Sequence, residues 1–322
     1  MGVNFRDLLP YEVIDFELLK RKTIAVDGMN SVYQFLSTMR QPDGTPLMDS
    51  QGRVTSHLSG IFYRTIRLLG KEIKPIYVFD GKPPSLKRKE IRRRGELKDE
   101  ARREWSRALK EERIGDARKY AKRTSRFTEE MVAECKTLLG YMGVPYVQAP
   151  SEGEAQCVKL CQEGDAWAVG SQDYDSLLLG AQNLVRGLTL SGKYEMSLIK
   201  LDAVLDSLKV TREQLVDMAI LIGTDFNEGL KGVGPKKALK IVRGGGIDSV
   251  DLDVELDEVR SLFLEPDVVD DYEVRWETPD MEGLVSFLCD EREFSRDRII
   301  RGYGNLESAL GELSQRDLSD WF

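Results

Sequence analysis

The sequence predicts an α/β fold, a mostly parallel sheet with helices on both faces. Short apolar runs alternate with helical patterns, the rhythm of βαβ units whose strands are buried on both sides. Three of these runs pass almost directly into acids: Asp27, Asp80, and the pair Asp173 and Asp175. Ligands in such sheets bind beyond the carboxyl ends of the strands, so the acids stand where a site belongs.

In chain order, residues 23–26 in KTIAVDGMNSVYQFL read as a strand followed by a turn and a helix. KPIYVFDG, at 74–81, is a second strand ending on aspartate. The helical pattern TEEMVAECKTLLGYM precedes a third strand in MGVPYVQAP, 142–150, and GDAWAVGSQDYDSLLLG gives a fourth. From 211, TREQLVDMAILIGTDFNEGLKGVGPKKALKIVRGGG reads helix, loop, helix. Thr211 with Gln214 fits a capping box, and Pro235 suits a first helical turn. Residues 82–126 break the rhythm, with 18 Lys and Arg against 8 Asp and Glu and few large apolar residues. They read as helix standing off the core or as a solvated helical face.

The 322 residues suffice for a sizeable core. Hydrophobic and charged fractions of 41% and 32% describe a soluble globular chain, and no apolar run is long enough to span a bilayer. No secretory signal is visible at the N-terminus. Cys135, Cys157, Cys161 and Cys289 form no C-x-x-C pair and read as reduced thiols of an intracellular, cytoplasmic protein. His57 is the one histidine. Catalytic triads and histidine-rich metal sites are therefore disfavoured, and any chemistry falls to carboxylates, Lys, Arg or Tyr. The net charge of −8 argues against nucleic acid, but its distribution reverses the argument. Residues 82–126 carry +10, whereas 248–322, with 7 basic and 22 acidic residues, carry −15. With a Debye length of roughly 8–10 Å, a phosphate backbone responds to the nearest patch.

Asp27, Asp80, Glu152, Glu154, Asp173, Asp175 and Asp225 are the candidate metal ligands. Each has a plainer reading: Asp27 and Asp80 as turn formers before glycine, Asp173 and Asp175 as helix caps, Asp225 as an Asx-turn. Gathered at one sheet edge they cannot easily all stay ionised, since two like charges 4 Å apart cost about 4 kcal/mol at an effective dielectric of about 20. Either their pKa values rise or cations bind. Hard oxygen ligands without His or Cys favour Mg²⁺, with Mn²⁺ as the alternative. Two such ions can activate water and stabilise the leaving oxygen of a phosphodiester. Within PSEGEAQC, 150–157, Ser151 and Glu154 have capping-box spacing. Ser151 is expected to cap the helix while Glu152 and Glu154 face the metals.

VDGMNSVYQFL, YVFDGKPPSLKRKEIRRR, APSEGEAQC, SQDYDSLL, LIGTDFNEGLKGVGPKKAL and the terminal QRDLSDWF, in this order through almost the whole chain, resemble the flap endonuclease family of structure-specific 5′ nucleases. The chain, which stops at Phe322 without a basic tail, resembles the archaeal type. The resemblance implies a 5′ nuclease, PIN-like core over 1–313, a helical arch or cap at 82–126, a helix–two-turn–helix at about 211–243, and a clamp-binding tail at 314–322. It implies a two-metal site, with Asp27, Asp80, Glu152 and Glu154 around one ion and Asp173, Asp175 and Asp225 around the other. Lys87 and Arg94 match cations that contact the scissile phosphate, and Tyr33 an aromatic that stacks on a base. Gly232, Gly234, Lys236 and Lys237 match a loop that grips duplex DNA, often with K⁺. Gln315, Leu318, Trp321 and Phe322 match a sliding-clamp (PCNA) motif, expected as one 3₁₀-like turn. The implied activity is Mg²⁺-dependent cleavage of 5′ flaps, with 5′–3′ exonuclease activity, by a monomer in replication and repair. The competing expectations are a relative preferring bubbles or recessed 5′ ends, and a non-catalytic, clamp-tethered DNA-binding protein.

Overall fold

The computed structural model describes all residues except 1, 2, 4, 6, 7, 126, 189–194, 246, 248, 249, 251, 253 and 320–322, with the backbone alone at 118 and 314–319. Seven strands make one sheet: β1 (Glu12–Ile14), β2 (Thr23–Asp27), β3 (Lys74–Phe79), β4 (Tyr146–Gln148), β5 (Ala168–Gly170), β6 (Asn183–Arg186) and β7 (Met196–Lys200). Their order is β1-β7-β6-β5-β2-β3-β4. The pairings β2–β3, β3–β4, β2–β5 and β5–β6 are parallel, and only β7 pairs antiparallel, with β1 and β6. The predicted mostly parallel sheet is therefore present, with an antiparallel margin that the sequence reading did not include.

The parallel strands are buried on both faces, as their unbroken apolar runs require. Ala25, Ile76, Val78 and Val169 enter one hydrophobic cluster, while Ile24, Val26, Tyr77, Phe79 and Ala168 enter the other. The topology also selects where a site can lie. From β2 the chain proceeds to β3 and β4 on one side, then returns to β5 on the other side of β2. The crevice at the carboxyl ends of β2 and β5 is thus a topological switch point.

Residues 82–128 leave the sheet between β3 and the helix Glu129–Tyr141. They form a helical hairpin, Arg88–Lys110 and Ile114–Ala121. The hairpin buries alanines at 101, 108, 117 and 121, while Ile91, Leu97 and Ile114 are exposed. Small buried side chains bring helices close but bury little apolar area, so the hairpin is held weakly compared with the core. Its outer part meets the rest of the molecule where Trp105 Nε1 donates to the Asp43 carbonyl at 3.4 Å and Arg40 donates to Ser125 Oγ at 2.8 Å.

The helix–loop–helix is present as Arg212–Ile222 and Pro235–Arg243. Thr211 and Gln214 make the reciprocal capping box, and Pro235 opens the second helix. The chain closes with the helix Arg296–Ser319. The α-helix runs unbroken through the 313/314 boundary, and the expected 3₁₀-like turn, which was to bring Leu318, Trp321 and Phe322 together, reaches outside the described residues. Trp321 and Phe322 lie outside the described residues, as do the side chains of Gln315 and Leu318. No described helix is long and apolar enough to cross a membrane.

Candidate active site

Each acid at the switch point is set by local chemistry. β2 ends on Asp27, whose Oδ1 accepts from the Asn30 amide at 2.8 Å and so caps the helix Gly28–Thr38. Gly28 is needed there, since a Cβ would lie 2.7 Å from the Val78 carbonyl oxygen. Just beyond β3, Asp80 Oδ1 accepts from the Gly153 amide at 2.8 Å. That bond places Asp80 on the N-terminus of the helix Gly153–Gln162, where the helix dipole favours a negative charge.

The expected Ser151 cap is not formed. The helix starts one residue later, with Glu152 at the N-cap, and no side chain of its own segment caps it. A carboxylate from the neighbouring strand takes the capping position, which local spacing cannot reveal. Glu152 has extended backbone (φ −77°, ψ 125°). The wide angle that separates alternate residues of a regular helix does not then apply to Glu152 and Glu154. Glu154 turns inward and accepts from Ser171 Oγ at 2.5 Å and Ser176 Oγ at 3.2 Å.

Beyond β5, Asp173 accepts from Asn30 Nδ2 at 3.2 Å, and Asp175 accepts from the Val3 amide at 3.0 Å. Neither caps the short helix Asp175–Leu178, whose N-cap position is Tyr174. Asp225 follows the helix Arg212–Ile222. The turn around it is bonded by Thr224 and Asn227, which leaves the Asp225 carboxylate to meet Arg94 and Lys87.

All seven predicted carboxylates line one cleft of about 1340 Å³, together with Tyr33, Lys87 and Arg94. Its electrostatics follow from crowding and burial. Burial, then the Asp80 charge, lifts Asp27 to about 8. Burial and the neighbouring charges of Asp173 and Asp225 lift Asp175 to about 7 against the Val3 hydrogen bond. Burial and Glu152 lift Asp80 to about 6. Glu154 is pushed well above its ordinary value by burial and by the charges of Asp173, Asp27 and Asp175.

Two cations answer this charge. Lys87 Nζ donates to Glu152 and lies 3.5 Å from Asp225. Burial alone would lower the Lys87 ammonium, but Glu152 and Asp225 outweigh it and hold it above its usual value. Arg94 donates to Asp225 and, at 2.7 Å, to Glu90.

Among the described residues, no group of three or more His, Cys, Asp or Glu side chains is arranged to hold a metal ion as it stands. The carboxylate oxygens are turned instead to Lys87, Arg94, Asn30, Ser171 and backbone amides. The donor set nevertheless fits hard divalent cations, being all oxygen and at most half-exposed. The raised values of Asp27, Asp80, Glu154 and Asp175 mark carboxylates that ionise together only beside added positive charge.

The helix–loop–helix loop is separate from this cleft. Gly232 has φ +81°, and a Cβ on Gly232 or Gly234 would meet nothing within 4 Å. The loop backbone is therefore open to close approach from outside. Lys237 Nζ donates back to the Gly232 carbonyl at 2.8 Å.

Asn30, Ser171, Ser176 and Val3 were not foreseen as supports of the acids. The Asp27–Asn30 spacing, that of an N-cap and its third helical residue, was the one available signal. The other contacts cross between distant segments.

Strand-end carboxylates at a switch point stand beside a basic helical hairpin, and the segments that carry them match two models of the XPG nuclease class. The XPG N-terminal domain matches residues 8–101 and the XPG I-region residues 143–225. The chain is 51% identical to the flap endonuclease 1 of Methanothermobacter thermautotrophicus, over the full length of both proteins. The solved flap endonuclease-1 of Methanococcus jannaschii superposes with a TM-score of 0.81 at 46% identity, covering 97% of this chain and 99% of that one. The catalytic core of Rad2 in complex with DNA substrate superposes with a TM-score of 0.72 at 25% identity, covering 92% and 96%. The chain belongs to the flap endonuclease family.

Proposed function

We infer that this flap endonuclease is a phosphodiester hydrolase that cuts branched DNA at the junction of a 5′ flap with duplex, in Okazaki fragment processing and repair. The observation that carries the reading is the convergence of seven carboxylates and two arch cations in one cleft. Asp27, Asp80, Glu152, Glu154, Asp173, Asp175 and Asp225 would hold two Mg²⁺ ions, or Mn²⁺, which supply activation of water and stabilisation of the leaving oxygen. Lys87 and Arg94 hold positive charge against the acids and present it to the phosphate at the cut. Tyr33, at the cleft wall, offers a ring face to a base near that phosphate. The basic hairpin holds the 5′ strand by its phosphates without reading sequence. Gly232, Gly234, Lys236 and Lys237 take duplex backbone, with K⁺ as the ion suited to that loop.

The direct test is cleavage of a labelled 5′-flap duplex with Mg²⁺ or EDTA. Product is expected with Mg²⁺ alone, and its absence would overturn the catalytic reading in favour of a DNA-binding protein. Lys87→Ala is expected to slow single-turnover cleavage by about 10²-fold while duplex affinity changes only a few-fold. The reverse pattern would remove Lys87 from the phosphate.

The nuclease domain extends to residue 313, and Gln315, Leu318, Trp321 and Phe322 dock on a sliding clamp inside the cell. Truncation after Ser314 is expected to leave cleavage of bare DNA intact and to abolish stimulation by the clamp. Stimulation that persists would place the clamp contact elsewhere. The free protein is expected to sediment as a monomer.

A further inference from the structure

Most cations of the helix Arg88–Lys110 are exposed, the Arg92 side chain at 80%. Lys98 differs. It is half-buried and lines the cleft. The helical period explains why, because positions 94, 98 and 101 share one face, and that face turns inward at the buried Ala101. Across the cleft stands Tyr33, on the helix that begins at Asp27. Lys98 Nζ lies 5.1 Å from the centroid of the Tyr33 ring, within cation–π reach of about 6 Å. The contact joins the hairpin to the helix beneath it, beside the carboxylates.

We propose that Lys98 and Tyr33 form an exchangeable clasp across the cleft. An entering single strand takes over the Tyr33 face with a base, and Lys98 moves from the ring to that strand's phosphates. The proposal rests on the reading of Tyr33 as a stacking residue. The exchange is balanced at both ends. A ring face accepts either a cation or the plane of a base, and the ammonium leaves a quadrupole for a full negative charge. A paired base must first leave its stack to make the same exchange. The clasp therefore opens readily to an unpaired strand and resists a duplex.

Amide hydrogen exchange across 88–110 in the free protein reads the clasp itself. Lys98→Met and Tyr33→Leu are each expected to speed exchange several-fold. The double variant should be no faster than the faster single one, and Lys98→Arg should restore protection. A flap substrate with 2-aminopurine at the junction reads the exchange. Its fluorescence is expected to be quenched by wild type and Lys98→Met but not by Tyr33→Leu. The slope of log affinity against log salt should fall by about 0.7 in Lys98→Met, the loss of one phosphate contact on a single strand. Unaltered amide exchange in Lys98→Met overturns the clasp whatever the DNA does. A quench that survives Tyr33→Leu overturns the base take-over and, with it, the stacking role of Tyr33.

Discussion

Asp175→Ala is expected to slow flap cleavage by on the order of 10³-fold or more at saturating DNA, while flap affinity stays within a few-fold of wild type. Asp175 feels the charges of Asp173 and Asp225 in the cleft, so its removal would withdraw one of the hard oxygen ligands proposed for the metals. A loss of several kcal/mol in transition-state stabilisation corresponds to this factor. Binding survives because the basic hairpin and the helix–loop–helix are untouched. A second readout separates lost chemistry from lost folding. Asp175 is an acid held in surroundings that disfavour its charge, and Asp175→Asn keeps the acceptor for Val3. In EDTA, Asp175→Asn should therefore melt at or above the wild-type temperature while cutting as poorly as Asp175→Ala, the usual exchange of stability for a charged site. Wild-type cleavage rates in either variant would refute the assignment.

The second large effect is the linkage of stability, pH and divalent metal. Asp80, Asp175 and Asp27 sit at about 6, 7 and 8 in the fold against an ordinary value of 3.8. The folded state thus keeps protons that the unfolded chain releases. The stability this confers is fully present below about pH 4 and is lost as pH rises through 6 to 8. In EDTA the melting temperature is expected to fall by several degrees between pH 5.5 and pH 8.5. Mg²⁺ should restore it at pH 8.5 and do little at pH 5.5, where protons already occupy the acids. Asp27→Asn should flatten the EDTA profile. A metal-free melting temperature that rises with pH over this range would show that these acids ionise freely and need no counter-cation.

The core of the site was legible because its acids follow directly on apolar strands: Asp27 after Val26, and Asp80 after Phe79. A parallel sheet brings such ends together by construction, and register aligns them, with Asp27 opposite Val78 and Phe79 opposite Gln148. The basic run just beyond Asp80 was legible as a source of cations, whereas the choice of Lys87 and Arg94 within it came from the resemblance to the family. The misses share one cause. The Ser151 cap failed because Asp80, distant in sequence, accepts from the Gly153 amide at the same helix end. Glu154 is oriented by Ser171 and Ser176 across a neighbouring segment. The strands β1, β6 and β7 were not foreseen, and β7 is recruited to the sheet margin by antiparallel pairing rather than by the βαβ rhythm. Tertiary contact decided each of these, and spacing along the chain carries no mark of it.

The hairpin's place in the topology has an evolutionary consequence. It is inserted whole between β3 and the crossover helix Glu129–Tyr141, which returns the chain to β4, the immediate parallel neighbour of β3. Lengthening, shortening or exchanging the part of the insert beyond Lys87 and Arg94, residues 95–128, leaves every strand pairing and both of those cations in place. Asp27, Glu152, Glu154, Asp173, Asp175 and Asp225 all lie outside the insert, and Asp80 lies just before its first residue. Substrate shape can therefore be renegotiated by grafting a new loop onto an inherited chemical centre, and descendants of one ancestor can diverge in the DNA they admit while cutting it in the same way.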